Sequence, residues 1–539
     1  MAAGILAGLA DCIASAATVA AAFAETAVRC GDRAFIRVLP ETARAYGIVP
    51  RAIAYGEAAT DVARLRAAYA AAGYGSGHRV GLMLENRPAF FLHWLALNGL
   101  GASVVPLNPD LRPAELDYLV QHSEVVLGVA AAPHLNALRA VAHDLPVILD
   151  DAPPPSVRHP AVGRKVGDVA AFRARECALL YTSGTTGRPK GCILSNDYYL
   201  RAGRWYATIS GLCELREADR LITPLPLTHM NAMAYSTMAM IVTGGCIVQL
   251  DRFHPLSWWS AVRESRATIV HYLCVMPSML MRAASGPYDR DHSVRFGFGA
   301  GVHRRDHAAF EERFGFPLLE AWAMTETGAG AVVIANREPR HVGTNCFGRA
   351  ERAVEVRIVP EDNELLVRAA GPDLRAGFFS GYLKDPEATD AAWQDGWFHT
   401  GDIVRADADG NLTFVDRKKN VIRRSGENIS AVEVENVLHR HPRVAEVAVV
   451  GVADDLRGEE VLACIVPRAA ITDSTAVAVD IVRAALQDLS YFKVPGWVAF
   501  VESLPLTASQ KIARGELKAL ARQIVGGPDC VDTRGLKRR

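Results

Sequence analysis

Between residues 78 and 108 the chain alternates two hydrophobic periods. HRVGLMLE (78–85) is a short apolar, β-prone run. Pro88 to Leu100 carries apolar residues at helical spacing and stops at Gly101, and ASVVPLN (102–108) then resumes as a strand. Further runs stand at VVLGVA (125–130), PVILD (146–150), CALLY (177–181), CIVQL (246–250) and ATIVHYL (267–273). Strands separated by helical stretches predict a parallel sheet covered by helices on both faces.

The texture changes near residue 350. EVRIVPEDNELLVR predicts a hairpin turning at Asp362-Asn363, and IVRADADGNLTFVD another turning at Asp409-Gly410. After the charged stretch DRKKNVIRRSGEN, Ser430-Ala-Val-Glu433 reads as a capping box opening a helix. Strands VAEVAVVG and EEVLACIVP, a helix near 474–489 and strand WVAFVE complete a small unit. The expected fold is α/β: a large N-terminal body of mostly parallel β-sheets flanked by helices (1–416), plus a small mobile α+β C-terminal domain (417–525). The hinge is placed at 417–419, and the tail 526–539 is expected to be disordered.

Composition narrows the function. At 539 residues the chain exceeds one compact core, and roughly three to four units are expected. Apolar residues make up 50% and charged residues 22%, which excludes wholesale disorder and a coiled-coil rod. Lys+Arg and Asp+Glu both number 59, so no net charge draws the protein to nucleic acid or an anionic membrane. Only nine of the 59 basic residues are Lys, so each Lys draws the eye. The ten Cys form no CxxC pair, which argues against zinc ribbons and for reduced thiols in the cytoplasm. The apolar first 23 residues lack a basic leader and are broken by Asp11, so a signal peptide is not expected. No stretch is long enough for a membrane-spanning helix.

The most informative segment is YTSGTTGRPKG (181–191), which follows a strand. Gly184, Gly187 and Gly191 let the backbone turn tightly and approach a ligand. Thr182, Ser183, Thr185 and Thr186 supply hydroxyls and Lys190 a positive charge, together a phosphate cradle. It is not a P-loop: Arg188-Pro189 separates the last loop Gly from Lys190, no hydroxyl follows the Lys, and GCILS reads as a strand.

YTSGTTGRPKG resembles the signature of the adenylate-forming superfamily, which includes acyl-CoA synthetases, peptide-synthetase adenylation domains and luciferases. Further motifs resemble that family in order along the chain. PLTHMN (226–231) is similar to a segment whose His lines the junction of acyl pocket and nucleotide site, which implies His229, with Met230, Met233 and Tyr235 nearby; a satisfied core histidine is the competing reading. GFGAG (297–301) implies Gly299, Ala300 and Gly301 beside the acyl pocket and adenine, against a plain strand-to-helix turn. EAWAMTE (320–326) places Glu320, Ala321 and Trp322 at the adenine, Thr325 at the α-phosphate and Glu326 on Mg²⁺; Trp322 and Ala323 replace the family's usual Tyr and Gly.

WFHTGD (397–402) implies that Asp402 accepts the ribose hydroxyls. In DRKKNVIRRSGEN (416–428) the resemblance implies Arg417 at ribose or phosphate, Lys419 at the hinge, and Ser425, Gly426 and Glu427 along the coenzyme A channel. A solvated linker competes for Lys418 and Arg424. LPLTASQKIAR (504–514) resembles the terminal lysine loop and implies a catalytic Lys511, with Gln510 where the family has Gly.

The reaction implied is attack of a carboxylate on the α-phosphate of ATP, giving an acyl-adenylate and pyrophosphate. Coenzyme A then takes the acyl group and AMP leaves. Lys511, Thr325, Glu326 and Lys190 are the expected catalytic residues, with Mg²⁺ as the ion. Two anions must meet, so alignment and charge cancellation carry the catalysis. Within the family the crotonobetaine/carnitine–CoA ligase-like branch is nearest, which implies a small or medium carboxylic acid. Two alternatives remain open at this point: an adenylating enzyme that loads a carrier-protein thiol, and a catalytically degenerate nucleotide-binding regulator.

Overall fold

A computed structural model of the chain describes residues 16–111, 113–158, 169–182, 189–273, 275–424, 427–454, 457–507 and 511–537. Four sheets organise these residues. The first has eight strands. Its parallel centre runs Leu318–Trp322, Phe296–Ala300, Ile269–Leu273, Arg220–Thr223, Cys246–Gln249 and Ala34–Val38, with antiparallel strands at both edges. The second has seven strands. Glu176–Thr182, Ser103–Pro106, Arg79–Met83, Leu127–Ala130 and Val147–Leu149 are parallel, and Lys190–Ser195 and Gly381–Tyr382 extend that sheet antiparallel.

The apolar runs read from the sequence become these central strands because both of their faces are covered. Ser103–Pro106 and Leu127–Ala130 are buried at every position. The predicted helix after Arg87 spans Pro88–Asn98, with Pro at its first position, where no intrahelical N–H is needed. One large core cluster spans the two sheets, and the helix Val19–Arg29 packs Val19, Ala22 and Phe23 into it; a separate cluster of the seven-stranded sheet gathers Met83, Val105, Leu116 and Leu138.

The third sheet is antiparallel, so the body is parallel only in part. It pairs Val354–Ile358 with Glu364–Ala369, and Trp397–Ala406 with Leu412–Arg417, the two hairpins expected from their turn residues. Asn363 (φ 60°) and Gly410 (φ 80°) take the left-handed conformation at the two turns. One difference from expectation is local: of GFGAG (297–301), for which a strand-to-helix turn is one of two readings, the first four residues lie within strand Phe296–Ala300. A Cβ at Gly299 would lie 2.2 Å from the carbonyl oxygen of Tyr272 on the next strand, so glycine is needed there for close approach.

The fourth sheet is built from Ile422–Arg424, Glu427–Ile429, Val444–Asp454, Gly458–Pro467, Trp497–Phe500 and Cys530–Asp532. Val447 and Val449 point to a core shared with helices Ala431–Leu438 and Ser474–Ala485, while Ala448, Val450 and Val452 face helix Arg514–Ile524. The capping box is half realised. Glu433 N–H donates to Ser430 Oγ at 3.1 Å, but the Glu433 carboxylate turns to Lys493 at 2.7 Å.

The expectation of a disordered tail is corrected. Cys530–Asp532 pairs antiparallel with Trp497–Phe500, and Thr533 bonds the backbone of Pro495 and Gly496. The Lys537 side chain is buried, with Nζ 2.6 Å from Glu460 Oε1, and Arg424 Nε lies 2.9 Å from both oxygens of the same carboxylate. A buried carboxylate needs such counter-charges, and the tail supplies one of them. Among the described residues, no helix is long and apolar enough to cross a membrane.

Candidate active site

Strands Glu176–Thr182 and Lys190–Ser195 form a hairpin that pairs Thr182 with Lys190. Ser183, Gly184, Thr185, Thr186 and Gly187, the tip of the expected cradle, lie outside the described residues. Lys190, at the hairpin's rim, has Nζ 3.4 Å from Asp385 Oδ2 and 4.9 Å from the centroid of the Tyr382 ring. Tyr382 sits on the strand next to the hairpin, and its hydroxyl donates to Glu326 Oε1 at 2.9 Å. Burial and the Glu326 charge push the Tyr382 phenol far above its ordinary range. Lys190 and Glu326, 136 positions apart, are thus joined through one tyrosine. Nothing in the spacing of residues 380–385 announces that role.

Thr325 is held at its backbone, where its carbonyl accepts from the Tyr198 hydroxyl at 2.9 Å. Glu326 is buried, and its carbonyl accepts Phe379 N–H. Cys192 lies beside it; burial first, then the Glu326 charge, push that thiol far up. Among the described residues no group of three or more His, Cys, Asp or Glu forms a metal cage. A single carboxylate fits a Mg²⁺ that keeps waters and shares phosphate oxygens.

A second carboxylate lies at the crossing of three motifs. Asp402 is buried on strand Trp397–Ala406, and its Oδ2 accepts from Trp322 Nε1 at 2.8 Å. Its Oδ1 faces Arg417 Nε at 2.6 Å but, among the described residues, accepts no hydrogen bond of good geometry. Burial raises the Asp402 pKa, and Arg417 and Trp322 oppose that rise. A buried carboxylate oxygen with unused acceptor capacity fits a ligand hydroxyl. Trp322, expected over the adenine, is itself buried, stacks on Phe347 at 6.1 Å and anchors Asp402. Ala321, beside it, pairs with Ile334 at the sheet edge.

Glu320 acts on the neighbouring loop. Its Oε2 accepts Gly301 N–H at 2.9 Å and its Oε1 accepts Val302 N–H at 2.8 Å. Burial raises its pKa, and these two bonds pull it back. Gly301 has φ +79°, and Ala300 ends the strand before it. Glu320 therefore shapes the Gly299–Gly301 segment through its backbone.

His229 follows Pro226 in a tight turn, ahead of a π-helical segment, Asn231–Ser236. Beside it the buried Thr228 hydroxyl has no partner among the described residues. Burial and the charge of Lys511 hold the His229 imidazole down to about 4, so it is neutral at physiological pH. Met230 is half-buried next to it. Met233 and Tyr235, expected at the acid pocket, are core side chains: the Met233 sulfur takes the Tyr199 hydroxyl, and Tyr235 donates to Gly328 O at 3.1 Å while packing on Trp205 and Phe298.

The wide π turn is pinned from behind. His271 Nδ1 donates to Asn231 Oδ1 at 2.9 Å, which leaves Nε2 to accept from the Tyr206 hydroxyl at 3.0 Å. That buried network was not legible in the sequence, where His271 is one polar residue inside an apolar strand.

Lys511 is exposed at the end of a closed hairpin from the C-terminal unit. Its C=O accepts Thr507 N–H at 2.7 Å, its N–H donates to Thr507 Oγ1 at 3.2 Å, and Leu506 bridges Ile512. Gln510 lies outside the described residues.

Arg417 closes strand Leu412–Arg417 beside Asp402, and Lys419 lies in the short turn Lys418–Asn420. Arg424 is buried and not a solvated linker residue, whereas Lys418 is exposed but ion-paired. Lys418 Nζ is 2.7 Å from both Glu364 and Asp362, and Arg424 pairs with Glu460 as above. Ser425 and Gly426 lie outside the described residues; Glu427 opens strand Glu427–Ile429.

Known proteins match this chain along most of its length. The AMP-binding enzyme family matches residues 24–372, and the AMP-binding enzyme C-terminal domain matches residues 433–511. Crotonobetaine/carnitine–CoA ligase of Salmonella choleraesuis is 31% identical over 495 residues, covering 88% of this chain and 94% of the relative. The protein of that name from Citrobacter koseri is 31% identical over 496 residues, covering 87% and 94%.

Among solved structures, o-succinylbenzoate CoA synthetase of Bacillus subtilis, in complex with its acyl-adenylate intermediate, superposes with a TM-score of 0.78 at 23% identity. That match covers 92% of this chain and 97% of the other. The anthranilate CoA ligase AuaEII, in complex with anthranoyl-AMP, also gives 0.78, at 21% identity, covering 94% and 98%. At such identities these two likenesses show the fold.

Proposed function

Because this chain belongs to the AMP-binding enzyme family, we propose that it is an acid–thiol ligase: it activates a carboxylic acid with ATP as an acyl-adenylate, then transfers the acyl group to coenzyme A, releasing AMP and pyrophosphate. The observation that carries this reading is the buried Asp402 carboxylate: Trp322 Nε1 holds its Oδ2 at 2.8 Å, and its Oδ1 faces Arg417 Nε at 2.6 Å with acceptor capacity to spare. A carboxylate held in that way suits the hydroxyls of a nucleotide's ribose.

In this reading Asp402 Oδ1 takes the ribose hydroxyls, with Arg417 alongside. Thr182, Lys190 and the loop 183–187 take the phosphates. Thr325 contacts the α-phosphate, and Glu320, Ala321 and Trp322 support the adenine side. Lys511 sits between the acid and the α-phosphate, where it offsets the repulsion of two anions. Glu326 would hold Mg²⁺, which when bound neutralises phosphate charge. Neutral His229 offers the acid a polar but uncharged neighbour, while Met230 and the Gly299–Gly301 segment border it with apolar surface.

The domain division carries the second step. The body holds the nucleotide, while the C-terminal unit turns about residues 417–419, withdraws Lys511 and presents the segment at Ser425–Glu427 to coenzyme A. The acid is proposed to be small or medium-sized, of the class that the curated relatives' names describe.

The test is a panel of acids (crotonobetaine, carnitine, o-succinylbenzoate, anthranilate and straight-chain fatty acids) with ATP and Mg²⁺. Pyrophosphate is followed with and without coenzyme A, and the thioester is identified by mass. Acid-dependent pyrophosphate release with thioester and AMP only in the presence of coenzyme A is expected. Release with no thioester would move the reading to another thiol acceptor.

A further inference from the structure

We propose that Asp416 is a positioning residue, a latch that holds the C-terminal unit in the adenylate-forming orientation and must release before the thioester step. The inference rests on the two-orientation reading above.

Asp416 belongs to strand Leu412–Arg417 of the body's antiparallel sheet and is fully buried. Its Oδ2 accepts from Ser430 Oγ at 2.9 Å and from Val432 N–H at 3.1 Å, and its Oδ1 accepts Arg417 N–H at 2.7 Å. Ser430 and Val432 lie at the start of helix Ala431–Leu438, whose apolar face is part of the C-terminal unit's core. A body carboxylate therefore sits on the positive end of a helix from the other unit. The helix does not need it for capping, because Ser430 Oγ already accepts Glu433 N–H. Residues 417–419 lie between the two ends of the contact. A rigid turn about them whose axis does not pass through the contact separates Asp416 from Ser430 and Val432.

The latch is mechanically continuous with Lys511. The same helix carries Glu435, whose oxygens take Arg514 at 2.7 and 2.8 Å. Arg514 opens the helix that follows the Lys511 hairpin, and also donates to Val449 O at 2.7 Å. On the other side, the residue after Asp416 is Arg417, the ion-pair partner of Asp402. Nucleotide contact and latch are thus consecutive positions of one strand. A buried carboxylate stripped of two donors is unstable until water reaches it, so the contact favours two discrete states over a continuum.

The test uses the full chain with spin labels at two exposed positions, Leu256→Cys on the body and Gln487→Cys on the C-terminal unit. Label–label distances are measured with ATP, and with AMP plus coenzyme A, alongside the Tm. Wild type is expected to show mainly one distance with ATP and a second with AMP plus coenzyme A. Asp416→Asn should raise the ratio of second to first distance with ATP by roughly tenfold, the effect of weakening charge-assisted bonds. An unchanged distribution in a folded Asp416→Asn protein overturns the latch. If that variant does not fold, Ser430→Ala decides: a smaller shift in the same direction supports the proposal, and no shift overturns it. A wild type with one distance under both conditions overturns the two-orientation reading itself, and the latch with it.

Discussion

The indole nitrogen of Trp322 donates to Asp402 Oδ2 at 2.8 Å, tying the end of one strand of the eight-stranded sheet to a carboxylate of the antiparallel sheet. The other oxygen of that carboxylate is left to Arg417 and to any ligand. Asp402→Asn keeps a group of the same shape but loses the charge that Arg417 faces. It is expected to weaken ATP binding by about tenfold or more, the scale of one charge-assisted bond. Calorimetric titration with ATP measures it; an unchanged Kd would separate Asp402 from the nucleotide.

Lys511 is expected to act in one half-reaction. Lys511→Ala should slow acid-dependent pyrophosphate release by at least about a hundredfold, as removal of a transition-state charge partner does. Thioester formation from supplied acyl-adenylate should suffer much less. Equal loss in both steps would refute the alternation of the C-terminal unit.

Gly299 has no room for a side chain. A Cβ there would lie 2.2 Å from Tyr272 O, a backbone atom that cannot swing away. Gly299→Ala should therefore cost about 2–4 kcal/mol through forced strand separation, read as a lowered urea midpoint. A variant as stable as wild type would show that the strands have slack at this point.

The tail is structural. Removing residues 526–539 deletes an edge strand, the Thr533 bonds and the Lys537 partner of buried Glu460. Stability of the C-terminal unit should fall by about 3 kcal/mol or more, as when a buried charge loses a partner. Limited proteolysis should then cut within 427–525 and spare the body. Equal resistance of the truncated and full chains would contradict this.

Three imidazoles, His93 and His271 buried and His229 half-buried, set a pH dependence. Burial holds His93 and His229 down to about 4 and His271 to about 3. Each is neutral in the folded protein and charged in the unfolded chain below its ordinary pKa of 6.5. Their contribution to stability is present above that value and is lost as pH falls towards the folded values. At pH 5.5 these three groups should take up about three protons on unfolding. Unfolding enthalpies in buffers of different ionisation heat measure the uptake, and a value near zero would mean that the rings are charged in the fold.

Much of this architecture was legible in advance. The central strands of the two parallel sheets stand where the apolar runs lie. The hairpins turn at Asp362-Asn363 and Asp409-Gly410, and the helix after Ser430 starts at its cap. Such features are written within a dozen residues, where side-chain period, turn residues and caps act on their own backbone. The short motifs also named candidates: Lys190 by the charge it adds to a loop of glycines and hydroxyls, and Glu326, Asp402 and Lys511 by resemblance to the family's motifs.

The partners of those side chains were decided only by the tertiary structure. Tyr382 reaches Glu326 because its short strand pairs beside the Lys190 hairpin. Trp322 serves as a donor to Asp402, and Met233 and Tyr235 are spent in the core. Asp416 grips a helix of the other unit, and Lys537 is drawn in to balance Glu460. Each of these contacts joins segments brought together by strand order or by a buried charge in need of a counter-charge. Local pattern carries no record of either.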